Sequence, residues 1–224
     1  RDPRRYYRAV DDFDRGVHTS GYLGELEWKF GAVSGGGSCA LIAPTSAQTE
    51  ARGVVKLATD TSSGSSFYMC QRQYVARFFP VGARMGLRMY PDSDSDENWY
   101  AGLLSQNNFV STEPFVAGNT RFLGVRVESS GNVFGVVKSA NLAGNEDTVD
   151  LGAPAVDTWR NYEWERTAGG IQFFVDGVAT GAPVATTHLF NANTWGRALG
   201  VKTDAAAAKA IYVDWWEELH RVTR

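Results

Sequence analysis

The chain has 224 residues, with 22 Lys and Arg against 25 Asp and Glu for a net charge of −3. At this length, and with 43% hydrophobic residues, it folds around a substantial core as one large domain or two small ones. The near-neutral balance argues against a generally basic nucleic-acid binder, and three His and two Cys are too few for a zinc centre, an iron–sulfur cluster or a disulfide scaffold.

Residues 1–10 read as an N-terminal arm. Arg4, Arg5, Tyr6, Tyr7 and Arg8 crowd together there, and Arg and Tyr are favoured at protein interfaces, so these five are candidates for docking onto a partner. No apolar run follows the arm, so it does not read as a secretory leader, and no stretch approaches the roughly 20 apolar residues of a membrane-spanning helix.

From residue 11 to 224 helical periodicity is almost absent, whereas period-two alternation and turn residues recur. Strands are predicted over Leu23–Phe30, Gly53–Thr59, Phe67–Phe79, Arg84–Tyr90, Asn98–Leu104, Thr120–Val127 and Asn132–Lys138. They continue over Thr158–Arg166, Gly170–Asp176, Gly196–Thr203 and Ala210–Leu219. Gly, Pro, Asn, Asp or Ser bound each run. So many short strands without intervening helices imply an all-β antiparallel sandwich or barrel in a single domain.

The best-defined local unit is a hairpin. Tyr162 and Trp164 share one face of its first strand, while Asn161, Glu163 and Glu165 share the other; Ile171, Phe173 and Val175 share a face of the second. Asp176-Gly177 then supplies a second tight turn.

Several groups merit a chemical reading. Asp92, Asp94 and Asp96 alternate between two predicted strands, as hard oxygen ligands do at the start of a calcium loop, but without the sixth-place Gly and distal Glu of an EF-hand. They read as a solvated acidic turn or, alternatively, a calcium site, and no other cofactor is implied. Trp99, Asn193 and Trp195 could offer a sugar ring an apolar platform with adjacent hydrogen bonds, although Trp99 and Tyr100 face opposite ways along a strand, so one of them belongs to the core. Glu25 and Glu27 alternate on one predicted strand, with Lys29 completing their face. Asp214 and Glu218 share a face of the last strand, at what reads as an edge of the sandwich. His18, His188 and His220 lie near no nucleophile turn, and the chain has neither a Gly-x-Ser-x-Gly sequence nor a phosphate-binding Gly-rich loop. Cys39 and Cys70 read as small buried hydrophobes.

Taken in order, Asp12-Phe13, Gly24 to Trp28, Gly53 to Thr59, the Trp159 to Gly177 hairpin and Ile211 to Trp216 resemble the concanavalin A-like (laminin-G-like) jelly roll. More narrowly, they are similar to its versions in virion proteins of tailed bacteriophages, over residues 11 to 219. Ala51-Arg52 departs from that narrower pattern, which often carries His-Pro before the glycine. The resemblance implies an antiparallel β-sandwich, and in members that are glycosidases a strand of the Glu-x-Asp-x-Glu type. Glu25 and Glu27 are the nearest match and fall short of it, so the expectation is not an enzyme.

The resemblance further implies a non-enzymatic virion structural protein, a capsid decoration (cement) or tail-associated protein made in the host cytoplasm. Its partners would be the major capsid or tail protein and further copies of itself, with a trimer favoured. The alternative is a carbohydrate-binding adhesin module that meets a host glycan. A diverged glycoside hydrolase is the third reading.

Overall fold

The computed structural model describes residues 6–11, 13, 28–42, 53–71, 80–95, 97–105, 121–128, 131–139, 145–189 and 196–221. All regular elements among them are strands: β1 (Tyr6–Asp11), β2 (Trp28–Ser34), β3 (Gly37–Ile42), β4 (Val54–Thr59), β5 (Ser66–Gln71), β6 (Arg84–Pro91), β7 (Glu97–Ser105) and β8 (Arg121–Val127). They continue with β9 (Phe134–Lys138), β10 (Glu146–Asp150), β11 (Arg160–Thr167), β12 (Gly170–Val175), β13 (Val178–Val184), β14 (Gly196–Thr203) and β15 (Ala210–Arg221).

These strands form two sheets. An eight-stranded sheet runs β13-β12-β11-β6-β15-β4-β3, with β1 also paired to β15, and a seven-stranded sheet runs β10-β9-β8-β7-β14-β5-β2. Every pairing is antiparallel. The all-β antiparallel sandwich expected from the alternation is therefore the observed architecture.

Alternation explains the layers. Odd-numbered residues of β7 and β8, such as Trp99, Ala101, Leu103, Leu123, Val125 and Val127, face the eight-stranded sheet and meet Leu87, Trp164, Phe173 and Trp216 in one continuous core. Its centre is aromatic. Trp216 lies 5.6 Å from Trp28 and 6.0 Å from Trp164, both edge-on, the geometry that ring quadrupoles favour.

The predicted hairpin forms as expected, with Tyr162 opposite Val175 and Trp164 opposite Phe173. Asp176 and Gly177 both adopt positive φ, 50° and 79°, as a primed two-residue turn requires.

Two expectations need correction. Residues 6–10 of the supposed arm belong to β1, whose register against β15 runs from Tyr6↔Arg221 to Asp11↔Trp216. Backbone pairing along the long C-terminal strand thus claims a segment whose composition read as terminal. β15 is also no edge strand, since β6 lies on one side of it and β4 and β1 on the other. A register shift between Val213 and Trp215 changes its phase, so that Asp214 and Glu218 do not share a face. Glu218 turns into the core and pairs with Arg197 of the opposite sheet, whereas Asp214 pairs with Arg88 at 3.1 Å.

Candidate functional site

The outward face of the eight-stranded sheet carries an open groove of about 660 Å³. Its lining comes from β6, the β11 strand with its preceding turn, the Asp176-Gly177 turn and β15. Because side chains alternate, Tyr162 and Trp164 go into the core while Asn161 and Glu163 are left outside, beside Arg84 and Arg88 of β6. The β15 bulge supplies the last wall by sending Trp215 outward and Trp216 inward.

Trp159 and Trp215 are both half-buried, so part of each indole remains open to a ligand. Arg88 lies between their strands, its guanidinium 5.2 Å from the Trp159 ring centre. Trp159 meets Tyr90 edge-on at 4.7 Å, and Tyr90 stacks on Tyr212 at 4.6 Å with only 11° between the planes. Lys56 caps that row at 5.4 Å from Tyr212. The row therefore crosses β4, β15, β6 and the start of β11 as one packed ridge that holds Trp159 in place.

The polar groups of the groove are fixed in pairs. Arg84 meets Glu163 at 2.7 Å while lying 5.0 Å from the Phe174 ring. Arg88 meets Asp214, and Arg160 meets Asp176, whose other carboxylate oxygen accepts from the Asn161 amide at 2.9 Å. The Asp176 hydrogen bond and charge raise the Arg160 pKa above its ordinary value, keeping the guanidinium charged. Each carboxylate here already serves a guanidinium, so the groove offers oriented donors and acceptors with its principal charges compensated. A second depression, lined by Arg84, Met85, Gly86, Glu163, Glu217 and Leu219, shares Arg84 and Glu163 with the first and extends it along β6.

The outward face of the seven-stranded sheet differs. A register row runs Gly31–Tyr68–Gly200–Tyr100–Arg126 across five strands. Tyr68 and Tyr100 are 5% and 4% exposed, and with Cys70, Leu104, Phe122, Val136 and Ala198 they form a second buried cluster. Arg126 is buried at the end of the row, engaging both oxygens of Glu146 at 2.7 and 2.9 Å and Glu128 at 2.9 Å. Burial lowers the pKa of neighbouring Lys138, against the pull of Glu146.

Residues singled out from the sequence are distributed widely. Trp99 is 1% exposed in the intersheet core, 5.8 Å from Tyr162, so its ring is not the sugar platform considered above; Tyr100 takes the outward direction and is buried as well. Asn193 and Trp195 lie outside the described residues.

Asp92 is half-buried and Asp94 exposed, while Asp96 is outside the described residues. One Asp92 oxygen accepts from the Ala210 amide at 3.0 Å. Among the described residues no group of three or more His, Cys, Asp or Glu is placed to hold a metal ion. What the acidic turn does place beside Asp92 is Glu97, buried at 1% exposure, whose pKa is pushed up to about 9 by burial and then by the Asp92 charge, with Lys209 opposing.

Tyr6, Tyr7 and Arg8 take their places in β1, whereas Arg4, Arg5, Glu25, Glu27 and His18 fall outside the described residues. His188 approaches Asp147 at 3.0 Å, away from the groove. Cys39 and Cys70 are free, and burial pushes both thiols up to about 12, which disfavours the thiolate.

Sequence reasoning missed the groove residues Trp159, Arg88 and Trp215. The signal available was the polar Asn161/Glu163/Glu165 face of the hairpin, read there as the mere complement of a core face.

No family model matches the chain, and no curated protein matches it in sequence. Solved structures do match in shape. A protein of unknown function from Shewanella oneidensis MR-1 superposes with a TM-score of 0.63 at 17% identity, covering 98% of this chain and 89% of that one. The carbohydrate recognition domain of Emp47p gives 0.62 at 9% identity and covers 100% of both chains. A Bacillus licheniformis beta-glucanase gives 0.60 at 12% identity, covering 97% of this chain and 98% of its own. At these identities the likeness establishes the fold, a concanavalin A-like jelly roll of the kind shared by lectins and glucanases, and leaves function to the site.

Proposed function

We propose that this protein is a carbohydrate-binding module whose site is the groove on the outward face of the eight-stranded sheet. The observation that carries the reading is the pairing of two half-buried indoles, Trp159 and Trp215, with the oriented polar groups of Arg84, Arg88, Asn161, Glu163 and Asp176 in one open groove. A sugar needs both parts: an aromatic surface for its C–H face and fixed hydrogen-bond partners for its hydroxyls. Compensation of the charges favours a neutral glycan, and continuation of the groove along β6 favours a chain over a single sugar. Retention of the glycan without cleavage fits carboxylates already committed to guanidinium partners, although the solved structures of this shape include glycoside hydrolases as well as a carbohydrate recognition domain.

Calorimetric titration against a panel of neutral polysaccharides tests this directly. The expected result is binding that weakens about tenfold or more in Trp159→Ala, since one such contact is worth on the order of 1.4 kcal/mol, with no release of reducing ends. Binding unaltered in both Trp159→Ala and Trp215→Ala would overturn the placement, and no binding across the panel would overturn the reading.

A second reading, a structural protein of a tailed-phage particle, is supported by the order of motifs from Asp12-Phe13 to Trp215-Trp216. Immunogold labelling of purified particles distinguishes its forms. Even labelling of the head favours decoration, labelling of the tail tip favours adhesion through the groove, and no labelling removes the particle altogether.

A further inference from the structure

The depression that continues the groove along β6 has a chemistry of its own. It holds about 280 Å³ and is lined by Arg84, Met85, Gly86, Glu163, Glu217 and Leu219. One register row crosses it, Glu163↔Gly86↔Glu217 over β11, β6 and β15, and two residues further on Leu219 stands opposite Arg84. Gly86 contributes no side chain, so the stem of Glu163 leans over it toward Arg84, its Cγ 2.8 Å from where a Cβ would stand. The space above β6 therefore has carboxylates on both flanks, a guanidinium at one end and the half-buried side chain of Leu219 beside it.

What these groups can take is narrow. Two carboxylates and one guanidinium line the space, so an anionic substituent would meet two like charges. An ammonium would meet Arg84 and make no use of Leu219. A hydroxyl would occupy an acceptor and leave the apolar wall bare. An acetamido group uses all three kinds of partner. Its N–H donates to a carboxylate, and its carbonyl accepts from Arg84, whose five N–H donors exceed what Glu163 takes. Its methyl rests on Leu219.

The position also suits a chain. Gly86 and Arg88 are two residues apart on β6, about 7 Å, and Trp215 stands opposite Arg88 while the Trp159 ring lies against it. A glycan with one ring beside the indoles, over Arg88, sets its next ring over Gly86. We infer that this depression is the subsite for the acetamido group of an N-acetylhexosamine, so that the glycan of the groove is a polymer containing that sugar. The inference rests on the groove being the glycan site and adds which glycan it takes.

Calorimetric titration of the full chain with two β-1,4-linked oligomers of equal length tests it, one of N-acetylglucosamine and one of glucose, because they differ only where the acetamido group replaces a hydroxyl. The expected result is binding of the N-acetylated oligomer tighter by about tenfold or more. Leu219→Ala and Glu217→Ala should each narrow that preference severalfold, whereas Trp159→Ala should weaken both oligomers and keep their ratio. Circular dichroism with melting confirms that each variant folds. Equal affinity for the two oligomers, or a preference that neither Leu219→Ala nor Glu217→Ala narrows, would overturn the inference and leave the groove as a glycan site. Binding of neither oligomer would overturn it as well, and the wider polysaccharide panel then decides the groove by itself.

Discussion

Two rows of side chains cross the outward faces of this sandwich, and they solve the same packing problem in opposite ways. On the eight-stranded sheet Lys56, Tyr212, Tyr90 and Trp159 stand side by side, each ring supported by the next, and the end of the row opens into the groove. On the seven-stranded sheet Tyr68 and Tyr100 alternate with Gly31 and Gly200. A Cβ built at Gly200 would lie 2.3 Å from Cε1 of Tyr100, so that ring lies across the glycine instead of standing beside a neighbour. The first row leaves Trp159 and Tyr212 half-buried with Tyr90 buried between them, whereas the second buries both of its tyrosines. Aromatic content therefore does not locate a binding surface; the residue between the rings, side chain or hydrogen, decides which way they lean.

The strongest way to break this comparison is to remove the buried cation that ends the second row. Arg126→Ala leaves Glu146 and Glu128 without the guanidinium that engages both, and should cost about 3–5 kcal/mol in denaturant unfolding. Glycan binding by the folded fraction should stay unchanged. A loss of binding without loss of stability would exchange the roles of the two faces.

Gly200→Ala comes next. The added methyl meets a buried ring, and overpacking of this kind should cost about 1–3 kcal/mol. Gly86→Ala is its counterpart on the open face, where the methyl would lie 2.8 Å from Cγ of Glu163, an acyclic side chain that can shift at the expense of its ion pair with Arg84. Its cost should stay below about 1 kcal/mol, while displacement of Glu163 from Arg84 alters the binding constant. Equal stability costs at the two glycines would remove the distinction between a sealed row and an open one.

A test by pH instead of truncation concerns the core-facing side of β7, the strand that carries Tyr100. With its pKa pushed up to about 9 in the folded state against an ordinary 4.5, Glu97 keeps a proton that it loses on unfolding at neutral pH. Stability should accordingly fall as pH rises from about 5 to about 9, by at most about 1.4 kcal/mol per pH unit from this group, and level off above that range. Glu97→Gln should remove its contribution to the slope. Urea midpoints measured across that range check the sign, and an identical slope in the variant would show that Glu97 is not its source.

The sequence made the interior legible and the periphery obscure, for one physical reason. Central strands such as β4, β6, β14 and the β11–β12 hairpin bury one face completely, which imposes the alternation that reveals them. The strands that escaped sequence reading were β1, β3, β10 and β13, and each of them pairs with a single neighbour. An edge strand has a partner on one side only and is freer to carry Glu-Asp-Thr-Val-Asp or Gly-Ala-Pro.

The groove was hidden for a related reason. Arg88, Trp159, Asn161 and Trp215 come from three strands that are adjacent only after folding, and Trp215 faces outward because of a bulge that no local pattern announces. The hairpin's polar face was visible in the sequence, but its use was not.

Hydrogen-exchange mapping of the natural chain with and without a bound neutral oligosaccharide tests the central claim most directly. Protection confined to Arg84–Arg88, Trp159–Glu163 and the β15 segment around Trp215 is the predicted result. Protection appearing instead on β5, β7 and β14 would place the sugar on the sealed face and contradict the account.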